Sequence, residues 1–84
     1  MGKLTELPNV GRVLEERLEA VGIATAEELK KAGAKEAFLR LRERDPGACL
    51  HELMALEGAV RGVRKYDLPP EIQDDVKAFF KGLK

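Results

Sequence analysis

Apolar residues recur along this chain at the spacing of one face of an α-helix. The first such series is Val10, Val13, Leu14, Leu18 and Val21. Gly22 follows it, and glycine is typical of the position just after a helix. Thr25 and Glu28 then have the spacing of a capping box, and Gly33 closes the short segment behind them. The pattern therefore predicts a helix near 10–21 and a shorter one that starts after Thr25.

Three further amphipathic segments follow. Residues 34–44 form the first, with their apolar side chains on one helical face. Asp45 and Pro46 have the character of an N-cap and a first helical residue, so we predict a long central helix from there onward. Its apolar positions are Cys49, Leu50, Leu53, Met54, Leu56, Ala59 and Val60. Gly58 and Gly62 would end this helix or let a neighbouring backbone approach closely.

The last predicted helix begins around Pro69 and Pro70. Its apolar residues are Ile72, Val76, Phe79, Phe80 and Leu83. Good helix formers (Ala, Leu, Glu, Lys and Arg) fill 48 of the 84 positions, and no apolar run approaches the roughly 18 residues of a membrane span. We therefore predict an all-α fold, a compact orthogonal bundle of about five helices without strands.

Charge and cysteine content narrow the function classes. The 15 basic and 15 acidic residues cancel, so the chain has no domain-wide positive field for nucleic acid. One cysteine excludes an intramolecular disulfide, and the N-terminus lacks a signal-peptide pattern. We therefore expect a cytoplasmic protein. The shortage of Ser, Thr, Asn and Gln beside abundant Glu, Lys and Arg also predicts high thermal stability.

Catalytic and metal-binding motifs are incomplete. His51-Glu52 begins like a zinc-protease motif, but Ala55 stands where the second histidine would be. On a helix, Cys49 and His51 would point about 200° apart, so we interpret Cys49 as a small buried apolar residue and His51 as a surface residue. Serine is absent, and no glycine-rich phosphate loop occurs. We expect no enzymatic activity, cofactor, metal or small-molecule substrate.

One short motif has the features of a binding site. Residues 7–11, Leu-Pro-Asn-Val-Gly, are followed by a predicted helix and resemble the hairpin of a helix-hairpin-helix unit, whose free backbone amides can hold a phosphate. We call this segment the hairpin. Asn9 stands where that motif has glycine, and asparagine tolerates positive φ. The residue two positions past the hairpin is basic in that motif, whereas it is Val13 here. Besides the phosphate-binding interpretation, the hairpin can simply connect two packed helices.

A second candidate is the acid-free basic stretch near the end of the predicted central helix, beside Tyr66. It is either part of a binding patch or a solvated helix end. The candidate nucleic-acid-binding residues are Asn9, Val10, Gly11, Arg12, Arg61, Arg64 and Lys65.

The full set of motifs resembles the C-terminal domain of the TfoX/Sxy family. The similar blocks lie in order at 7–11, 22–29, 38–42, 45–50, 55–59, 62–64 and 67–69. The resemblance implies one helical domain over 1–84 with a core of the SAM/helix-hairpin-helix type. It also implies kinship with regulators of natural competence and DNA transformation, here as a stand-alone domain. We expect a regulatory module that binds a protein partner or a second copy of itself. Weak, sequence-independent nucleic-acid binding through the hairpin is the alternative.

Overall fold

The computed structural model describes residues 3–83, and all regular secondary structure within that range is helical. The five α-helices are α1 (Arg12–Ala20), α2 (Ala26–Ala32), α3 (Ala34–Arg44), α4 (Leu50–Arg61) and α5 (Pro70–Gly82). Short 3-10 turns precede α1 and α5, at Leu4–Glu6 and Lys65–Asp67. The Cα radius of gyration is 11.7 Å, close to the ~12 Å of a folded chain of this length. The predicted all-α fold is confirmed.

Local capping explains the ends of the short helix α2. The Thr25 hydroxyl accepts a hydrogen bond from the Glu28 backbone N–H at 3.1 Å. The Glu28 carboxylate reaches back to the N–H of Ala24 at 3.0 Å, one residue before the N-cap. Gly33 closes the helix at φ +88°, a conformation that costs glycine nothing, and its N–H donates to Leu29 O. The predicted boundaries of this element are confirmed.

The predicted start of the central helix is wrong. Residues 45–48 form a turn in which the Asp45 carboxylate accepts the Gly47 N–H and the Asp45 carbonyl accepts the Ala48 N–H, both at 3.0 Å. Because aspartate satisfies nearby amides in this way, it favours a turn here over the first turn of a helix. Helix α4 begins only at Leu50. Cys49 is its N-cap residue and is exposed, so its interpretation as a buried apolar residue is also wrong.

Helix α4 lies at the centre of the bundle, where it packs on α2, α3 and α5. The largest fully buried side chains are Phe38, Leu4, Leu18, Ile23, Leu29, Leu41, Leu53, Leu56 and Val76. The rings of Phe38 and Phe80 meet with centroids 5.9 Å apart, which joins α3 to α5. Phe79 is partly buried, with the Lys35 ammonium 5.3 Å above its ring. Among residues 3–83, no helix combines the length and apolar character needed to cross a membrane.

Candidate binding surface at the hairpin

The hairpin contains the one non-glycine residue with positive φ in the described part of the chain. Asn9 has φ +68°, within the left-handed region that asparagine tolerates better than most residues. The tolerance of asparagine for positive φ, noted from the sequence, is therefore used at this position. Helix α1 starts directly afterwards, with Gly11 as its N-cap residue and no side chain capping its first amides.

The side chain of Asn9 points into the molecule and joins the hairpin to the segment that follows α4. Its Nδ2 donates to the carbonyl of Val63 at 3.0 Å, and its Oδ1 accepts from the backbone N–H of Lys65 at 3.1 Å. A longer contact of 3.4 Å connects Nδ2 with the carbonyl of Ala55 within α4. Asn9 therefore links two segments that lie more than fifty residues apart in sequence.

This close approach depends on Gly58. A Cβ atom added there would lie 2.5 Å from Asn9 Nδ2 and 2.6 Å from the Val63 carbonyl oxygen. Neither distance is compatible with a real side chain, because Val63 O is backbone and Asn9 is held by its hydrogen bonds. The expectation that Gly58 admits a neighbouring backbone is confirmed. Gly62 meets the other expectation, since it ends α4 at φ +76°.

The fold thus brings the hairpin beside the basic stretch, but it exposes the candidate residues unequally. Val10 is only 6% exposed and belongs to the core, and its N–H donates to Leu7 O at 3.4 Å. Both polar atoms of the Asn9 side chain, Nδ2 and Oδ1, are hydrogen-bonded within the molecule. The exposed candidates are Gly11, Arg12, Arg61 and Arg64, whereas Lys65 is half-buried.

The cations of this region differ in their pairing. Arg12 lies 3.6 Å from Glu16, and both side chains are exposed. Arg61 is paired with Glu57, whose side chain is only 12% exposed. The Lys65 ammonium lies 5.1 Å from the centroid of the Tyr66 ring, a cation–π contact. Among residues 3–83, Arg64 has no carboxylate partner within ion-pair distance.

Two large apolar side chains near these segments in sequence are exposed. Val13 is 72% exposed and Tyr66 is 74% exposed, and no other large hydrophobic side chain in residues 3–83 is exposed. Val13 lies in the first turn of α1, and Tyr66 directly follows Lys65, the residue bonded to Asn9. The assignment of Val13 to the buried face of the first helix is therefore wrong. The sequence did indicate that Val13 could be exposed, because Glu16 and Arg17, its neighbours one helical turn later, are both charged.

A cluster of three charged residues, Arg17, Asp45 and Glu52, connects α1 to the start of α4 and was not predicted from the sequence. The Arg17 guanidinium pairs with Asp45 at 3.1 Å and, through its other terminal nitrogen, with Glu52. The remaining carboxylate oxygen of Glu52 is buried and has no hydrogen-bond partner. No local pattern indicates these pairs, since the partners are 28 and 35 residues apart. Within residues 3–83, no group of three or more His, Cys, Asp or Glu residues could hold a metal ion.

Comparison with known proteins assigns the chain to a family. The model of the TfoX C-terminal domain matches residues 1–80. The chain belongs to the TfoX C-terminal domain family. Among curated proteins, this TfoX C-terminal domain is similar to Protein Sxy of Escherichia coli K12, with 39% identity over 67 residues that make up 80% of the chain. It spans about a third of the length of Sxy, 32%.

Solved structures similar to this TfoX C-terminal domain come from Listeria monocytogenes. A triclinic crystal form of an uncharacterized protein superposes with a TM-score of 0.96 at 49% identity, covering 98% of this chain and 93% of that one. A tetragonal form of a protein of unknown function gives a TM-score of 0.95 at 49% identity, covering 98% and 100% of the two chains. The helical architecture described above is thus shared with crystal structures.

Proposed function

We propose that this TfoX C-terminal domain is a non-enzymatic module that binds a protein partner through one surface. We call this surface the hairpin edge, and it consists of Arg12, Val13, Arg64, Lys65 and Tyr66. The observation that carries the proposal is that the exposed large hydrophobic side chains of residues 3–83, Val13 and Tyr66, each follow within two residues of a segment that Asn9 joins.

Three of the five residues of the hairpin edge, namely Arg12, Arg64 and Tyr66, are of types that are typical of protein interfaces. Tyrosine and arginine are enriched among the residues that dominate binding energy, and lysine is depleted there. Each Å² of apolar surface removed from water contributes roughly 25 cal/mol, so burying Val13 and Tyr66 would favour association. The hydrogen bonds of Asn9 join the hairpin to residues 63–65 before binding, which reduces the ordering entropy that association must overcome.

The biological setting of this binding is also part of the proposal. Membership of the TfoX C-terminal domain family and the similarity to Sxy support a role in the regulation of natural competence. Because this chain corresponds to about a third of Sxy, the proposal concerns only what the C-terminal domain contributes, namely contact with another component of such a system.

Nucleic-acid binding is the second candidate. Helix α1 begins at Arg12, and its N-cap residue Gly11 has no side chain to cap it. Arg64, one residue before the hydrogen-bond partner Lys65 of Asn9, has no carboxylate partner among residues 3–83. Backbone amides at a helix N-terminus attract phosphate without regard to base identity. Since Arg12 and Arg61 already have carboxylate partners, few phosphates would be neutralised. Such binding would be weak and would decrease further with salt.

One experiment separates the two candidates. The wild type, Val13→Asp, Tyr66→Ala and the control Lys30→Glu, a substitution on the exposed surface of α2, are immobilised and exposed to lysate of the source cells. We expect a protein that is retained by the wild type and the control and lost by both hairpin-edge variants. Circular dichroism verifies that each variant is folded.

The same proteins, with Gly11→Asp added, are titrated into labelled duplex and single-stranded DNA at low and at physiological salt. The protein-binding proposal predicts no measurable change in fluorescence anisotropy even at low salt. Salt-sensitive binding that Gly11→Asp abolishes, together with no partner lost by Val13→Asp and Tyr66→Ala, would replace it with the nucleic-acid alternative.

A further inference from the structure

We infer that residues 64–67 form a strap that opens from α4 while the helices stay folded, and that the side chain of Asn9 holds it closed. The strap carries Arg64, Lys65 and Tyr66, three of the five residues of the hairpin edge. The fraction of molecules with a closed strap therefore sets how many present these residues in one arrangement. This control of binding rests on the proposed function, whereas the strap itself rests on geometry alone.

The residues on either side of the strap are anchored. Before it, Val63 packs partly buried against the core, and its N–H donates to Gly58 O at 2.9 Å. After it, Leu68 is 2% exposed, and its carbonyl accepts a hydrogen bond from Gln73 Nε2 at 2.7 Å. Because α4 and α5 also pack directly on each other, the strap can move away from α4 without separating these helices.

The strap itself has few contacts that hold it in place. Three of its four residues are exposed, and Lys65 is half-buried. Within the described part of the chain, the hydrogen bond that joins the strap to other residues runs from the Lys65 N–H to Asn9 Oδ1, at 3.1 Å. The Asp67 N–H donates to Arg64 O at 2.9 Å, which is a bond inside the strap. A segment with little buried surface and few hydrogen bonds opens locally at low cost.

Asn9 is suited to hold the strap because its own side chain is fixed at the anchor. Its Nδ2 donates to Val63 O at 3.0 Å, and its Oδ1 accepts the Lys65 N–H. Gly58 provides the space in which the strap lies, since a Cβ added there would be 3.2 Å from Lys65 N. One side chain thus bonds to the anchor through one atom and to the strap through the other, so the strap can be released while the anchor bond remains.

The strap contains its own reporters. Tyr66 is the only tyrosine in a chain without tryptophan, so the intrinsic fluorescence of the protein comes from the strap. Amide hydrogen exchange measured by NMR compares the N–H groups of Lys65 and Asp67 with that of Leu56, in the middle of α4. We expect the protection of both strap amides in the wild type to be lower than that of Leu56 by about 100-fold or more. Low concentrations of urea should speed the exchange of Leu56 alone, because a local opening exposes little surface.

Two variants of similar global stability isolate the contribution of Asn9. Asn9→Gly removes the bond to the strap, whereas Arg17→Met breaks the ion pairs between α1 and the start of α4. We expect Asn9→Gly to speed exchange of the Asp67 N–H, whose acceptor Arg64 O lies inside the strap, by about tenfold or more. It should also add a fast component to the time-resolved fluorescence anisotropy of Tyr66. Arg17→Met should change neither quantity, and circular dichroism verifies that both variants are folded.

The contrary results are distinct from failure of the proposed function. Strap amides that exchange as slowly as Leu56, with the same urea dependence, would show that the strap opens only when the whole chain unfolds. Equal acceleration of Asp67 exchange in Asn9→Gly and Arg17→Met would assign the effect to lost stability and overturn the role of Asn9. None of these measurements uses a partner, so they leave the protein-binding proposal in place.

The control of binding has its own readout. A protein that the wild type retains from lysate should be retained less by Asn9→Gly than by Arg17→Met, because only molecules with a closed strap are ready to bind. Equal retention by the two variants would overturn this control and leave both the strap and the proposed function. If no protein is retained by the wild type, the proposed function and the control of binding fail together, while the exchange results still decide whether the strap opens.

Discussion

Replacing Asn9 by glycine should weaken the link between the hairpin and the segment after α4 while leaving the turn unstrained. Glycine adopts the observed φ of +68° freely, so in the folded state the substitution removes only the side-chain interactions. The hydrogen bonds lost are those to Val63 O at 3.0 Å and from Lys65 N at 3.1 Å. The 3.4 Å contact with Ala55 O is too long to add much.

Each of the two short hydrogen bonds contributes about 0.5–1.5 kcal/mol, so Asn9→Gly should lower the free energy of unfolding by about 2 kcal/mol. Asn9→Ala removes the same bonds and also places a Cβ in the left-handed region. That conformation costs about 1–2 kcal/mol, partly offset by the smaller unfolded-state entropy of alanine. We therefore expect Asn9→Ala to be less stable than Asn9→Gly by roughly 1 kcal/mol.

Urea denaturation followed by far-ultraviolet circular dichroism measures both differences, and the m-values should stay equal. For a domain of this size, 2 kcal/mol corresponds to a decrease in Tm of about 8–16 °C. If Asn9→Gly is as stable as the wild type, the side-chain hydrogen bonds do not hold the hairpin. If Asn9→Ala equals Asn9→Gly, the positive φ is not maintained in solution.

Two further predictions follow from the same structure, and a third follows from the composition. Gly58→Ala should destabilise the chain by about 1–3 kcal/mol, because the added Cβ would overlap Asn9 and Val63. This cost should exceed the gain from the higher helix propensity of alanine. The control Gly82→Ala has open space around it and should be neutral or stabilising. Arg17→Met should cost about 2 kcal/mol because it strands the partly buried Glu52 carboxylate, and adding Glu52→Gln should restore part of that loss. Calorimetry should give a melting midpoint above the ~45–65 °C of mesophile domains.

Each of these has a clear contrary result. Equal stability of Gly58→Ala and Gly82→Ala in urea denaturation would mean that the backbone next to Gly58 can move away at no cost. Strictly additive effects of Arg17→Met and Glu52→Gln would show that the two side chains do not interact. A melting midpoint inside the mesophile range would reject the thermal-stability argument from composition.

The parts of the fold that depend on local interactions could be predicted. The capping box before α2 and the glycine after it set boundaries that agree with the structure, because the groups involved lie within a few residues of one another. The start of α4 could not be predicted in this way. Asp45 and Pro46 suit a helix start, but the Asp45 side chain and carbonyl bond to Gly47 and Ala48, and Arg17 holds the same carboxylate from α1.

The candidate site was predicted in part. Helical periodicity assigned Val13 to the core, whereas its side chain is 72% exposed. The sequence did indicate that residue 9 could adopt positive φ and that Gly58 permits close approach. It did not indicate that these two residues meet, because the hydrogen bonds that hold Asn9 over Gly58 join it to Val63 and Lys65, more than fifty residues away.

By itself, the sequence determined the helical class, the approximate positions of the helices and the neutral overall charge of this protein. Helix propensity and periodicity depend on residues within one short segment, and net charge depends only on residue counts. Only the tertiary structure decided which side chains remain at the surface and which charges are neutralised. Packing around α4 placed Asn9 against Gly58, joined the hairpin to residues 63–66 and left Val13, Arg64 and Tyr66 exposed. The exposure and pairing of these side chains depend on contacts between segments that are distant in sequence, and these contacts create the proposed binding surface.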